Sequence, residues 1–255
     1  MFTAYRNRLQ ARSAAILRTL DTRIDRIVIG WMAFAALASA VRLVPASMRA
    51  PVSVAEVLPY LFLILAPAAS IVLALRWFAD ADRMPQPQFR LARIGRWTSV
   101  SRGEASRHEL SGASGIMVSL LVGMLLNVPV RAAEYLTAMP PVPAGAPNWL
   151  QTLHFAMTLD VVLFTSLYAI AFVAALRRVP LFPRLLVAIW LGDLAMQLIT
   201  AQLVVGTDVP SDVARALQAF LTGNVKKVLI SMGLWLPYLL LSARVNVTYR
   251  QRVPA

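Results

Sequence analysis

The chain has 255 residues, of which 58% are hydrophobic, and it carries a formal charge of +13 with a mean hydropathy of +0.64. That apolar share exceeds the roughly 45–50% usual in soluble domains, so the bilayer is the expected solvent and a single helix bundle the expected domain. The absence of cysteine excludes disulfides, thiolate nucleophiles and Cys-ligated metals, and with only His108 and His154 present a bis-His haem is not expected, so no cofactor is implied.

In chain order, residues 1–26 lead with an amphipathic pattern. Leu9, Ile16, Leu20, Ile24 and Ile27 recur at helical spacing among arginines, which predicts an interfacial helix running into the first span. A transmembrane helix needs roughly 17–25 mostly apolar residues, and six stretches qualify: about 27–43, 57–76, 112–131, 155–176, 185–205 and 226–242. Ala38-Ser39-Ala40 resembles a signal-peptidase site, but the long segment ahead of it holds Asp21 and Asp25, so 27–43 is read as a span.

The fold class expected is therefore all-α, a polytopic transmembrane bundle of about six spans. Most of the 25 basic residues fall on segments 1–26, 77–111, 177–184 and 243–255, whereas Arg42, Arg49, Arg131, Arg215, Lys226 and Lys227 fall on the other side. The positive-inside rule then places both termini in the cytoplasm. The basic residues lack the aromatic interleaving of a nucleic-acid surface, so no such partner is expected. In loop 77–111, Arg90, Arg93 and Arg96 recur every three residues beside Phe89, Ile94 and Trp97. That pattern is first of all that of an ordinary topogenic basic loop, and it also suits contact with anionic membrane lipids or a partner.

The third stretch opens with Gly112-Ala113-Ser114-Gly115, which resembles the GxSG of rhomboid intramembrane proteases. The last span has no histidine, however, and a serine without its base is a weak nucleophile. With no HExxH, P-loop or GxGxxG either, no enzyme is expected. Gly115, Ser119 and Gly123 are small residues spaced by four, a pattern for close helix packing. Asn127, Arg131 and Glu134 continue that helix toward the outer surface.

Ionisable residues at membrane depth are functional candidates. Asp160 stands about 8 Å below the outer end of 155–176, whereas Asp193 stands about 18 Å below the outer end of 185–205, so the two are expected to lie apart. Asp193, Gln197 and Thr200 share one helix face, readable as a cation or proton site or as interhelical glue. Arg131 with Asp160 is the expected ion pair, with Glu134, Arg42 and His154 near the same outer mouth.

The final span closes on Trp235, Pro237, Tyr238, Ser242, Arg244, Val245, Thr248 and Tyr249. This pattern, clear over residues 235–249, resembles the closing motif of the YdgK-like inner-membrane family, a domain of unknown function. The resemblance implies a helical bundle in the bacterial inner (cytoplasmic) membrane and supplies no activity. Pro237 is expected to kink its helix and free the carbonyl of Gly233 for a close neighbour. The chain thus reads as a multi-pass membrane protein, an accessory or scaffold subunit with possible partner subunits or self-association, or alternatively a small-molecule or ion/proton-coupled transporter using its intramembrane Asp residues. Arg244 is the residue expected to serve a docking surface.

Overall fold

The computed structural model describes residues 2–48, 53–88, 94–143 and 145–255; Arg49, Phe89, Arg90, Arg93 and the side chain of Leu9 lie outside the described residues. The chain folds into α1 (Phe2–Thr22), α2 (Ile24–Ser47), α3 (Val54–Trp77), β1 (Trp97–Ser99), α4 (Arg102–Arg107), α5 (Ile116–Ala138), α6 (Asn148–Leu176), α7 (Phe182–Val205), α8 (Ser211–Leu241), α9 (Ala243–Arg250) and β2 (Arg252–Pro254). Among these, α2, α3, α5, α6 and α7 are long and apolar enough to cross a membrane. Helix α8 joins α9 through a 71° bend, and the pair makes a sixth crossing if the two are taken as one span.

Local chemistry accounts for several of the helix starts. Ser53 opens α3 with a capping box, its hydroxyl accepting from the Glu56 amide while the Glu56 carboxylate accepts from the Ser53 amide. Ser101 and Glu104 do the same for α4, and these bonds hold the Glu104 carboxyl below its usual range. Pro183 sits in the first turn of α7, where its missing N–H costs nothing.

Helix α6 is the axle of the bundle, packed against α3, α5 and α7. Its inner half, from Phe164 to Leu176, buries Ala169, Ala171, Ala174 and Ala175, small residues that let the neighbours approach. Outward faces of the spans carry Leu37, Val41, Leu198 and Ile230, all exposed as a lipid-facing surface requires.

Both chain ends meet the bundle at the same end. The Ser13 hydroxyl of α1 accepts from the Gly115 amide at 2.9 Å, ahead of α5, and Tyr249 of α9 donates its hydroxyl to Ala175 O at 2.8 Å, near the end of α6. Helix α1 presents Ser13, Leu17 and Leu20 to the bundle, Ile24 continues that face at the start of α2, and Ile16 is exposed. The inward face is thus rotated from the expected apolar stripe, because a buried hydroxyl replaces one of its apolar members.

Two expectations fail in the spans, the small-residue stripe and the close neighbour at Gly233. Ser119 and Gly123 are exposed, and a Cβ added at Gly123 would meet nothing within 4 Å. Gly115 is not in a helix but precedes α5 with φ +74°, so the small residues do not form a packing stripe. Helix α8 runs through Pro237 to Leu241, and no neighbour comes within 4 Å of a Cβ built at Gly233. The sharp turn falls at Ser242, where an extended backbone (ψ 125°) separates α8 from α9.

The segment after α8 is not a loose tail. Strand β2 pairs antiparallel with β1, Thr98 opposite Val253, which fastens the chain end to the loop between α3 and α5. Arg244 Nη1 donates to Ser114 Oγ at 2.9 Å and reaches the carbonyls of Leu110 and Gly112. The Thr248 hydroxyl accepts from the Gly112 amide at 3.0 Å. The Tyr249 ring packs on Phe182 at 5.0 Å. Ser242, Arg244, Val245, Thr248 and Tyr249 therefore hold this end of the bundle together, and the guanidinium expected to serve docking is engaged internally.

Candidate functional site

Four helices deliver polar side chains to one point inside the bundle. Arg131 comes from α5, Asp160 from α6, Asp193 and Gln197 from α7, and Asn224 from α8. Arg131 Nη2 lies 2.8 Å from Asp160 Oδ2 and 2.9 Å from Oδ1, with Nε at 3.3 Å from Oδ2. The same guanidinium binds the second carboxylate, Nη1 to Asp193 Oδ2 and Nη2 to Asp193 Oδ1, both at 2.8 Å. One planar fork thus engages two carboxylates, an arrangement that the point charge of a lysine could not reproduce.

The carboxylates are further fixed by neutral donors. Gln197 Nε2 donates to Asp160 Oδ1 at 3.1 Å and to Asp193 Oδ1 at 3.3 Å. Its own Oε1 accepts from Asn224 at 3.4 Å, and Tyr168 donates its hydroxyl to Asp193 Oδ2 at 3.4 Å. The Arg131 guanidinium lies 4.9 Å over the Phe164 ring, which shields it on one face.

The expected Arg131–Asp160 pair forms, but the expected separation of Asp160 from Asp193 does not hold. The apolar count began the fourth span at 155, whereas α6 begins at Asn148. Asp160 is twelve residues into α6 and Asp193 is twelve residues from the end of α7, so each stands about 18 Å from its helix terminus at 1.5 Å per residue. The early turns of α6 carry Asn148, Gln151, Thr152 and His154 and were invisible to an apolar count.

The remaining candidates distribute around this centre. Glu134 pairs with Lys227 of α8 toward the surface, and Asn127 faces the same cavity with a buried Oδ1 that has no hydrogen-bond partner. Thr200 is buried on the Asp193 face, but from Gln197 the hydrogen-bonded network leaves α7 for Asn224 of α8. Arg42 lies apart and donates to the carbonyls of Leu136 and Thr137 at the end of α5. His154 meets Tyr135 Oη at 3.3 Å, which also bonds Thr158 at 2.7 Å, so His154 is not in the cluster. Sequence reasoning missed Phe164, Tyr168 and Asn224. Only Tyr168, a polar tip within an apolar helix, offered a signal.

A cavity of about 80 Å³ reaches the cluster, with Asn127, Arg131, Asp160, Tyr168, Asp193 and Asn224 in its wall. Side-chain exposure falls from Lys227 (58%) through Glu134 (31%), Arg131 (13%) and Asp160 (9%) to Asp193 (0%), which describes a path inward from the surface. Two carboxylates face one guanidinium at its floor, so the buried centre carries an excess formal charge of −1 when all three groups are ionised. No metal-binding group of three or more His, Cys, Asp or Glu residues occurs among the described residues. Comparison with family models, with curated proteins and with solved structures returned no match.

Proposed function

We propose that the chain is a membrane protein that binds, and passes across the bilayer, a proton or a small cation at the Arg131–Asp160–Asp193 centre. The observation that carries this reading is the polar cavity reaching two buried carboxylates that share a single guanidinium. Charge at membrane depth is costly unless balanced, and an excess of −1 is relieved by taking up one positive charge. We place the protein in the bacterial inner membrane and read it as non-enzymatic; its relation to the YdgK-like family rests on the residues from Trp235 to Tyr249.

The test is reconstitution into liposomes that hold a dye sensitive to protons, sodium or potassium, each read under an imposed gradient of the matching ion. A dye response present in the wild-type protein and lost in Asp193→Asn is expected. Wild-type vesicles that match protein-free vesicles under every gradient would overturn the reading.

A second reading, an accessory or scaffold subunit, draws on the saturation of Asp193, which is wholly buried and bonded to Arg131, Gln197 and Tyr168. On that reading the cluster ties helices together. Gentle purification from native membranes with mass spectrometry then finds a constant partner, and a protein that always purifies alone rules it out.

A further inference from the structure

At the opposite end of the bundle from the Glu134–Lys227 mouth, the sequence Arg250-Gln251-Arg252 makes the turn from α9 into β2. Gln251 adopts a left-handed backbone (φ 53°, ψ 51°), and its carbonyl accepts from the Val100 amide at 3.1 Å. This single left-handed residue lets Arg250 and Arg252 border one pocket from two elements. Arg184, in the first turn of α7, forms another part of the wall. Gln86 approaches from the segment after α3, its Nε2 donating to Tyr249 O at 3.1 Å. The pocket, about 150 Å³, is lined by Gln86, Ser99, Arg184, Arg250, Gln251 and Arg252 together with Pro87 and Val100, with no acidic side chain among the described residues that line it.

Arg250 is the informative member. The residue is only 7% exposed. Its Nη1 donates to Asn246 Oδ1 at 3.1 Å and to Leu240 O at 3.5 Å, whereas Nε and Nη2 are buried and have no hydrogen-bond partner. Those two nitrogens form one edge of the guanidinium fork, the edge that grips two oxygens of a carboxylate or phosphoryl group side by side. A buried charged donor left unsatisfied is strongly unfavourable. Burial first, and then the neighbouring charges of Arg184 and Arg252, push the Arg250 guanidinium down to about 10. An anion between the three would counter the repulsion and give the buried donors an acceptor.

We propose that Arg250, with Arg184 and Arg252, forms a binding site for a phosphoryl oxyanion, which a small side-chain shift at the pocket wall brings onto the buried Nε and Nη2 edge of Arg250. The oxyanion arrives as free phosphate or as the phosphoryl of a phospholipid headgroup. Trp97 on β1 and the exposed Ile94 beside it are suited to the headgroup region, which makes the membrane a source within reach.

The experiment uses the full chain in a phosphate-free maltoside detergent and reads the thermal unfolding midpoint. In one arm inorganic phosphate is titrated against chloride at equal ionic strength. In the other, short-chain phosphatidic acid is titrated against the matching diacylglycerol. A saturable rise with phosphate assigns the site to the free ion, a rise with phosphatidic acid alone assigns it to the headgroup, and either supports the site. Arg250→Gln should weaken the half-saturating concentration by about tenfold or more, and Arg250→Lys should not restore it. If Arg250→Gln does not survive solubilisation, Arg184→Gln and Arg252→Gln are read in its place. No phosphoryl-dependent rise in the wild type, or variants that respond like the wild type, would overturn the proposal.

Discussion

At the scale of single residues, the asymmetry at Arg131 sets the energetics. Removing it leaves Asp160 and Asp193 buried with no cation, and breaking such a contact from one side costs about 3–5 kcal/mol. Arg131→Ala should therefore lower the melting temperature of the detergent-solubilised protein sharply, and Asp160→Asn in the same chain should restore part of it. Purely additive losses would contradict the shared centre. Asp160→Asn alone keeps one guanidinium opposite one carboxylate, and so should cost less than Arg131→Ala. Tyr249→Phe makes a milder probe. Its hydroxyl has one buried acceptor, Ala175 O, and losing that bond should cost about 0.5–1.5 kcal/mol in thermal or denaturant unfolding.

At the scale of elements, the existence of the spans was legible because apolar length is a strong signal, and their limits were not. An apolar count stops at the first polar cluster, whereas a helix continues wherever its backbone is satisfied. That difference hid the first turns of α6 and, with them, the common depth of Asp160 and Asp193. It also hid α8 before residue 226, where Val213, Leu217 and Phe220 pack against the bundle while the intervening positions are largely exposed. At about 46 Å, α8 is longer than the roughly 30 Å hydrocarbon core. The residues of the final motif were noticed in the sequence, but their roles were not, since Arg244 with Ser114 and Thr248 with Gly112 are contacts across more than a hundred residues. Arg244→Ala should release α9 from the residues ahead of α5. Limited proteolysis of membranes should then cut near residues 94–111 faster than in the wild type, and an unchanged cleavage rate would show that the strand pair alone suffices.

At the scale of the whole molecule, both ends of the chain lie at one end of the bundle, as an even number of crossings requires, and the turn between α5 and α6 lies at the other. Because the sequence has no cysteine, single reporters are easily placed. With the orientation read from charge, Gly145→Cys in intact cells should react with a membrane-impermeant maleimide, and Ala255→Cys should react only after the membrane is opened. The reversed pattern would invert the orientation, and labelling of both from outside would contradict the even crossing number.

The guanidinium shared by three helices also constrains the order in which the bundle can be made. The chain is synthesised from α1 onward, so α5 meets the bilayer while the helices carrying Asp160 and Asp193 are still unmade. During that interval Arg131 has neither carboxylate, and an unpaired arginine within a lone helix disfavours its insertion. Helix α5 thus cannot pair its arginine by itself, and its final seating waits for α6 and α7. The charge centre of the finished protein is, at that stage, a checkpoint on its biogenesis.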